Sequence, residues 1–525
     1  MTTPTPTLRE SGAPRHDNTP PTATADTAPR EPAAMSVRHA AMWAMAGQYL
    51  SFAIQFISSV IISRFFLTPA EVGLFSIALA AALVVSVLQD FGLSRYISGL
   101  PVIDALATAR CSSVALVFSL VVAGGIAAAA WPLAHTYHQA ALAPMLLIIA
   151  GSYLFVPFAV VPMALMGRAM NFRGHFTVNV GGALCQGVVA LALAWMGFSS
   201  FALAWATLAN GAARGIIAQV LRPALPWPLR LNQIRPIVST GSRLTTLYAS
   251  SALGSRTPDM IVGKLLGLLS VGLYSRAASL SDQFRMLISG AIGSVFYPAF
   301  ARKRDAGEPL GPPYLRVVAG YTAIIWPGMA GLALASRPVV HLLYGDRWTA
   351  VAPLLSAISL TEIFLVMLPL HTDLPILLGR LNRLMVFNVA DTVISLSLLA
   401  LGCLWGLEGA AISRLVYGLC WLALYARFLH GLVGFDVRAL LTIYAKSAAG
   451  AVAALAPLAG VYLCWVGPDA ITMPVLLPAV GAGVGLWLAV LVLVRHPALD
   501  DLFAMAAHLP GGRVLAPLAR IATRR

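Results

Sequence analysis

The chain alternates apolar runs of about twenty residues with short polar turns, and this pattern limits the fold more than any other feature. A helix of about twenty apolar residues crosses roughly 30 Å of hydrocarbon. We count about fourteen such runs and predict an all-α polytopic membrane protein. The predicted spans are 40–63, 73–95, 111–133, 141–166, 176–197, 199–221, 237–256, 270–300, 314–336, 351–378, 384–405, 408–429, 441–466 and 472–494.

Lys and Arg residues fall mainly on one side of the predicted spans, and this asymmetry predicts the topology. The formal net charge is +15, although only 10% of the residues are charged. Because cytoplasmic loops carry the excess of Lys and Arg, both termini are predicted in the cytoplasm, with an even number of spans. The cations form no cluster interleaved with aromatic residues, so we expect no nucleic-acid partner.

The loops predicted on the outer side are short, and the longest lie near 134–141, 256–270 and 337–350. A glycan polymerase or ligase needs a larger outer region to hold its acceptor sugar. The sequence also has no nucleophile elbow, P-loop or zinc-binding helix, and His135 and His138 lack acidic or cysteine partners. We therefore expect no enzyme, no metal and no cofactor, and we interpret the five cysteines, which lie in apolar spans, as buried apolar side chains.

Two internal repeats divide the chain into halves. The segment Val72–Ala78 returns as Val271–Ala277, and Gly197–Ala202 is echoed by Gly406–Ala411. An offset of six spans preserves orientation, so the repeats predict two parallel six-helix lobes with a substrate site between them. The predicted segments are a disordered tail (1–35), an N-lobe (36–230), a C-lobe (231–435), two extra helices (436–495) and a basic cytoplasmic tail (496–525).

Six short motifs occur in an order that resembles the polysaccharide transporter family. These motifs are Ser63–Gly73, Asp90–Ser94, Gly272–Ala277, Phe296–Phe300, Leu343–Trp348 and Leu378–Arg380. The family comprises Wzx-type flippases of the multidrug/oligosaccharidyl-lipid/polysaccharide exporter superfamily, and the similarity is to its colanic-acid and succinoglycan branch.

This resemblance implies two lobes around a central cavity, alternating access and a place in the bacterial cytoplasmic (inner) membrane. The implied cargo is an oligosaccharide repeat unit on undecaprenyl pyrophosphate, for exopolysaccharide, O-antigen or capsule biosynthesis. We expect a monomer that contacts membrane lipid and works beside a polymerase and a chain-length regulator.

Polar stripes on three predicted spans indicate a wet, cationic cavity. Ser239, Arg243 and Thr246 share one face of the seventh span, and Arg276 lies on the polar face of the eighth. A cation near the centre of a lone helix costs roughly 2.5–3.5 kcal/mol, so it normally faces protein or water. The alternatives are pairing of Arg243 with a carboxylate, snorkelling of Arg276 and simple helix packing. The predicted cavity residues are Arg243, Arg276, Gln48, Gln55, Ser239, Thr246 and Arg64.

Four carboxylates inside or beside the spans are candidates for coupling transport to H⁺ or Na⁺. Burial disfavours an ionised carboxylate, which suits a group that exchanges a proton or a cation. The alternative is that each one caps a helix or pairs with an arginine, as Asp282 could with Arg285. The candidates are Glu362, which has no basic residue one turn away, and Asp90, Asp391 and Asp282.

Three functions are therefore compared. The leading hypothesis is a flippase for lipid-linked oligosaccharides, whose pyrophosphate would bind arginine in the cavity. A cation-coupled drug exporter of the same superfamily needs an acidic cavity, whereas this chain places Arg243 and Arg276 there. A membrane glycan polymerase or ligase is the third hypothesis, and a large outer loop would distinguish it.

Overall fold

A computed structural model describes residues 36–86, 93–100, 103–225, 227, 229–232, 234–289, 300–468 and 470–499. Within these ranges the side chains of residues 37, 38, 95, 236–252, 288 and 289 are not described. The predicted tail 1–35, the candidate Asp90 and most of the predicted basic tail lie outside the described residues.

The described residues form helices joined by short connections. In the first half of the chain the helices are α1 (Val37–Phe65), α2 (Pro69–Ser86), α3 (Leu93–Gly99), α4 (Ala105–Tyr137), α5 (Leu142–Tyr153), α6 (Pro157–Arg168), α7 (Phe172–Trp195) and α8 (Phe201–Leu221). In the second half they are α9 (Arg235–Ser289), α10 (Gly311–Leu334), α11 (Ser336–Tyr344), α12 (Val351–Leu365), α13 (Asp373–Leu377), α14 (Leu381–Cys403), α15 (Gly406–Val433), α16 (Val437–Cys464) and α17 (Met473–Leu493). Twelve helical segments of the described chain are long and apolar enough to cross a membrane. The prediction of an all-α polytopic membrane protein is confirmed.

Side-chain caps mark where four of the long helices begin. Ser36, Asp104 and Asn171 accept backbone N–H groups in the first turns of α1, α4 and α7, and Asp436 does the same for α16. Caps of this kind satisfy N–H groups that have no partner inside the helix. Polar residues between apolar runs therefore fix these helix starts.

Helix α9 corrects the predicted loop at 256–270. Its backbone is helical on both sides of Gly267, whose φ is 85°. A Cβ on Gly263 would contact Val271, and Asp259 hydrogen bonds to Ser275, so residues equally far from Gly267 meet. The chain therefore folds back at this glycine into two arms, 235–266 and 268–289. Arg256 and Lys264 lie in the first arm. A loop was predicted there because a polar cluster inside a helix has the same composition as a loop.

Two other predicted spans are broken where prolines occur. The span predicted at 141–166 is α5 followed by α6, which starts at Pro157. The span predicted at 351–378 is α12 followed by the short α13, with Pro369 between them. Proline removes an N–H donor and clashes with the preceding turn, which explains both breaks. The predicted loop 337–350 instead contains most of α11 and the 3₁₀ turn Asp346–Trp348.

The sequence repeat corresponds to a symmetric contact between the halves. A Cβ on Gly73 would overlap the carbonyl oxygen of Leu268, and one on Gly272 would overlap that of Pro69. Ser76 Oγ donates to Ser275 Oγ at 3.0 Å, across 199 residues of chain, the same separation that relates the two glycines. Only glycine allows the backbones of α2 and the second α9 arm to approach this closely.

Helices α16 and α17 pack on the second half through α10. Trp487 Nε1 donates to the carbonyl oxygen of Ala323 at 2.9 Å, and Thr322 and Ser447 share a hydrogen bond of 2.8 Å. The predicted extra helices are therefore attached to the side of α10.

Candidate functional site: a cavity between the two halves

A cavity of about 250 Å³ lies between the halves of the bundle. Helices α1, α2, α7 and α8 form one wall, and the second α9 arm forms the other. The polar side chains that line it are Gln55, Ser58, Ser59, Ser76, Gln186, Ser275, Arg276, Ser279 and Gln283. Arg276, Ser279 and Gln283, which the sequence placed on one face of this span, all line the cavity.

Arg276 is the charged side chain among the described residues that line this cavity. Its Nη1 donates to Ser59 Oγ on α1. Its guanidinium lies 5.5 Å from the ring centroids of both Tyr344 and Trp348. Its Nε is buried and has no hydrogen-bond partner among the described residues. Arg276 is thus held by a hydroxyl and two aromatic rings, and it makes no ion pair with a carboxylate of the described residues.

Hydrogen bonds between the halves close one end of the bundle, which we call the Trp348 end. Trp348 is fully buried and its Nε1 donates to the carbonyl oxygen of Ser63 at 2.9 Å. Arg64 Nη1 donates to the carbonyl oxygen of Leu342. Two further bonds join α4 to the first α9 arm: Tyr137 Oη to the Met260 oxygen at 2.9 Å, and Lys264 Nζ to the Thr136 oxygen at 2.6 Å.

The predicted cavity residues reach three different places. Gln55 and Arg276 line the cavity. Gln48 is exposed two turns away on α1, and Arg64 is exposed at the Trp348 end, so neither belongs to the cavity lining. Arg243, Ser239 and Thr246 lie in the first α9 arm, and their side chains are outside the described part of the chain.

The described candidate coupling carboxylates lie in two places: Glu362 and Asp282 share an arginine, and Asp391 lies apart from them. Arg285 contacts Glu362 and Asp282, each at 3.0 Å. The partner of Glu362 thus comes from another helix, which the spacing along its own helix could not reveal. The Glu362 side chain is 12% exposed and that of Asp282 is 60% exposed.

Asp391 lies in a separate cluster on α14 and α15. Tyr417 Oη donates to Asp391 Oδ1 at 2.9 Å. Arg414 lies 4.5 Å from the Tyr417 ring centroid and donates to Ser395 Oγ at 2.9 Å. The described residues contain no group of three or more His, Cys, Asp or Glu that could hold a metal ion.

Asp259, Arg214 and Arg414 are charged residues inside the bundle that were not singled out from the sequence. Asp259 on the first α9 arm hydrogen bonds to Ser275, which lines the cavity. Arg214 on α8 donates to Asn179 Oδ1 on α7 at 3.2 Å. The signal for Arg214 was its position inside an apolar run. Asp259 was hidden because its segment was interpreted as a loop.

Comparison with known proteins agrees with this architecture. The lipid II flippase MurJ, in an inward closed conformation, superposes with a TM-score of 0.68 at 13% sequence identity. The match covers 86% of this chain and 98% of that structure, and it shows a shared fold.

Two curated relatives are also similar. The succinoglycan biosynthesis transport protein ExoT of Rhizobium meliloti (strain 1021) is 24% identical over 345 residues, which cover 64% of this chain and 68% of ExoT. The lipopolysaccharide biosynthesis protein WzxC of Escherichia coli (strain K12) is 20% identical over 320 residues, or 60% of this chain and 64% of WzxC. The matched region thus spans about two-thirds of each relative's length.

The family described as polysaccharide biosynthesis protein matches residues 61–353, which is more than half of the chain. This region includes α2, both α9 arms, Arg276 and the aromatic residues that hold it. The resemblance found in the sequence is thereby confirmed, and the chain belongs to the polysaccharide biosynthesis protein family.

Proposed function

We propose that this protein is a flippase that moves lipid-linked oligosaccharides across the bacterial cytoplasmic membrane. The observation that carries the proposal is Arg276: a cation in the cavity between the halves, with no carboxylate partner among the described residues. An unpaired cation at this depth is costly unless water or an anion accompanies it. The names of ExoT and WzxC, both proteins of surface-polysaccharide biosynthesis, support a glycan cargo.

The cargo would bind by its anionic linkage. A pyrophosphate between lipid and sugar presents oxygens that a guanidinium binds in a bidentate fashion. The hydroxyl and amide groups of Ser279, Gln283 and Gln55 would bind the neighbouring polar atoms. An undecaprenyl tail would stay in the lipid while the head group occupies the cavity.

Alternating access would follow from the contacts at the Trp348 end. If this end is extracytoplasmic, as the charge distribution predicts, the structure is a state closed to the outside that receives cargo from the cytoplasm. Opening outward breaks the four hydrogen bonds that the described residues make between the halves at this end, each worth about 0.5–1.5 kcal/mol net. Binding of the cargo must supply a difference of this size between the two states.

Coupling to H⁺ or Na⁺ is proposed at the carboxylates, with Glu362, Asp282 and Asp391 as the described candidates and Asp90 as a fourth.

A drug exporter would attract cationic compounds with an acidic cavity. Arg276 is the charged side chain among the described residues that line the cavity, and its positive charge favours an anionic cargo.

Translocation in reconstituted vesicles tests the proposal. We expect the purified protein to move a labelled undecaprenyl-pyrophosphate oligosaccharide to the far leaflet, and Arg276→Gln to slow this at least tenfold. Arg276→Lys should fall between, because the charge remains without the planar fork. Arg347→Gln, an exposed arginine beside Trp348, is the matched control and should transport normally.

Equal rates for wild type and Arg276→Gln, with both proteins monodisperse in detergent, would contradict the role of Arg276. Transport of cationic drugs without transport of the lipid-linked sugar would favour the exporter. The same assay on Arg243→Ala tests the candidate with the strongest case in the sequence.

A further inference from the structure

A second polar cluster lies inside the first half, and we call it the Arg214 cluster. It consists of His175, Asn179 and Gln186 on α7, with Asn210 and Arg214 on α8. The three α7 residues lie at spacings of four and seven, which places them on one helix face. The opposite face of α7 is covered by the exposed apolar side chains Leu184, Val188 and Trp195. The cluster therefore faces the protein interior.

The members of the Arg214 cluster are hydrogen bonded in pairs. Asn210 Nδ2 donates to Gln186 Oε1 at 2.7 Å, and Arg214 Nη2 donates to Asn179 Oδ1 at 3.2 Å. His175 Nε2 lies 2.8 Å from the carbonyl oxygen of Met163. Arg214 also packs closely across α7, since a Cβ on Gly182 would overlap its Cγ. A long cationic side chain is thus accommodated at a fixed place between the two helices.

The charge of Arg214 has no carboxylate partner among the described residues. Its Nη2 contacts an amide oxygen and, at 3.7 Å, the sulfur of Met163, and its Nε is buried without a hydrogen-bond partner. Arg414 in the second half differs, because the tyrosine under its guanidinium is bonded to Asp391. Of these two arginines, Arg214 is the one without a nearby carboxylate among the described residues, so its charge is left to be neutralised by something outside them.

The Arg214 cluster adjoins the central cavity at Gln186. Gln186 belongs both to the cluster and to the cavity lining, and Asn210 is its direct partner. The next pair, Asn179 and Arg214, lies two turns along α7 and one turn along α8. Polar side chains thus continue along α7 and α8 from the cavity wall into the first half.

We propose that the Arg214 cluster binds an acidic sugar of the glycan, its carboxylate on Arg214 and its hydroxyls on the amides of Asn179, Gln186 and Asn210. Side-chain amides offer both donors and acceptors, which is what sugar hydroxyls need, and a guanidinium matches a carboxylate. This inference rests on the proposed function, since it names the class of glycan carried.

Ligand binding to the purified full-length protein tests the cluster. Titrations with sodium glucuronate, glucose and inorganic phosphate at equal ionic strength are run on the Arg276→Gln background, which removes the proposed pyrophosphate site, and only glucuronate should then raise the thermal unfolding midpoint. Arg214→Gln should weaken the glucuronate response at least tenfold, and Arg214→Lys less. Arg414→Gln, the arginine that already has a carboxylate nearby, is the matched control and should keep the full response.

A second variant covers the case in which Arg214→Gln fails to fold. Asn179→Asp places a carboxylate beside Arg214, so it should fold stably and lose the glucuronate response. An undiminished response in Arg214→Gln or in Asn179→Asp overturns the proposal. So does an equal response to phosphate and glucuronate, which would identify a simple anion site.

Failure of this inference is distinguishable from failure of the proposed function. If the wild-type protein translocates lipid-linked oligosaccharide but Arg214→Gln still responds to glucuronate, only the acidic-sugar site is wrong. If the wild-type protein translocates no lipid-linked oligosaccharide, the proposed function is wrong whatever the titration shows.

Discussion

The charged side chains inside this bundle differ in what surrounds them, and that difference separates stability from ligand binding. Arg285 forms ion pairs with two carboxylates, those of Glu362 and Asp282. Arg276 and Arg214 have hydroxyl, aromatic, amide and thioether neighbours instead. A buried ion pair that loses one partner leaves an uncompensated charge, whereas a cation without a carboxylate is free to receive an anionic ligand.

Glu362 and Asp282 provide a direct comparison, because both contact Arg285 at the same distance. Glu362→Gln should destabilise the protein by about 1–3 kcal/mol, because Glu362 is 12% exposed but its partner Arg285 is 34% exposed and can regain water. Asp282→Asn should cost about 0–1 kcal/mol, since its side chain is 60% exposed. Thermal unfolding in detergent at neutral pH measures both effects. A larger loss for Asp282→Asn would show that exposure does not decide which pair matters.

At the scale of helices, the sequence predicted the positions of the spans better than the contacts between them. Apolar runs identify helices because hydrocarbon imposes their length, and even the nearly absent connection between α14 and α15 was placed correctly at Gly406. The turn at Gly267 was missed, since Arg256 and Asp259 gave a helical segment the composition of a loop. The Glu362–Arg285 contact was not predictable, because it depends on how α12 packs against α9.

The end of α17 is fastened to α16 and α10 by a buried histidine. His496 Nδ1 accepts the backbone N–H of Ala498 at 3.1 Å, so the neutral ring carries its proton on Nε2, which lies 2.9 Å from Ser447 Oγ. Ser447 in turn is bonded to Thr322 on α10. Burial, and then the nearby charge of Lys446, lower the pKa of His496 to about 4, against the opposing effect of a hydrogen bond to the Ile443 backbone.

Stability should therefore fall in acid through His496. Its ordinary pKa is 6.5 and its folded pKa is about 4, so the unfolded chain takes up a proton that the folded protein does not. The contribution is complete above pH 6.5 and is lost as the pH falls toward 4, by at most roughly 3 kcal/mol. Thermal midpoints between these pH values should drop more for wild type than for His496→Gln. Identical pH profiles for the two proteins would contradict this assignment.

At the scale of the whole molecule, two halves meet along a symmetric crossing beside the cavity. The close approach at Gly73 and Gly272 and the Ser76–Ser275 hydrogen bond place α2 against the second α9 arm. The bonds at the Trp348 end hold the same two halves together. Because Ser275 and Arg276 are neighbours on one helix, separating the halves at this crossing also moves the wall that carries the proposed anion site.

A reversible cross-link at this crossing tests alternating access. Cysteines at positions 76 and 275 replace hydroxyls whose oxygens are 3.0 Å apart, so oxidation should join the halves. The oxidised Ser76→Cys/Ser275→Cys protein should lose translocation of the lipid-linked oligosaccharide, and reduction should restore it. Ser76→Cys alone, treated with the same oxidant, controls for the five native cysteines. If the fully cross-linked protein transports as fast as the same protein after reduction of the disulfide, cargo crosses without separation of the halves. The rocking cycle must then be replaced by motion within one half.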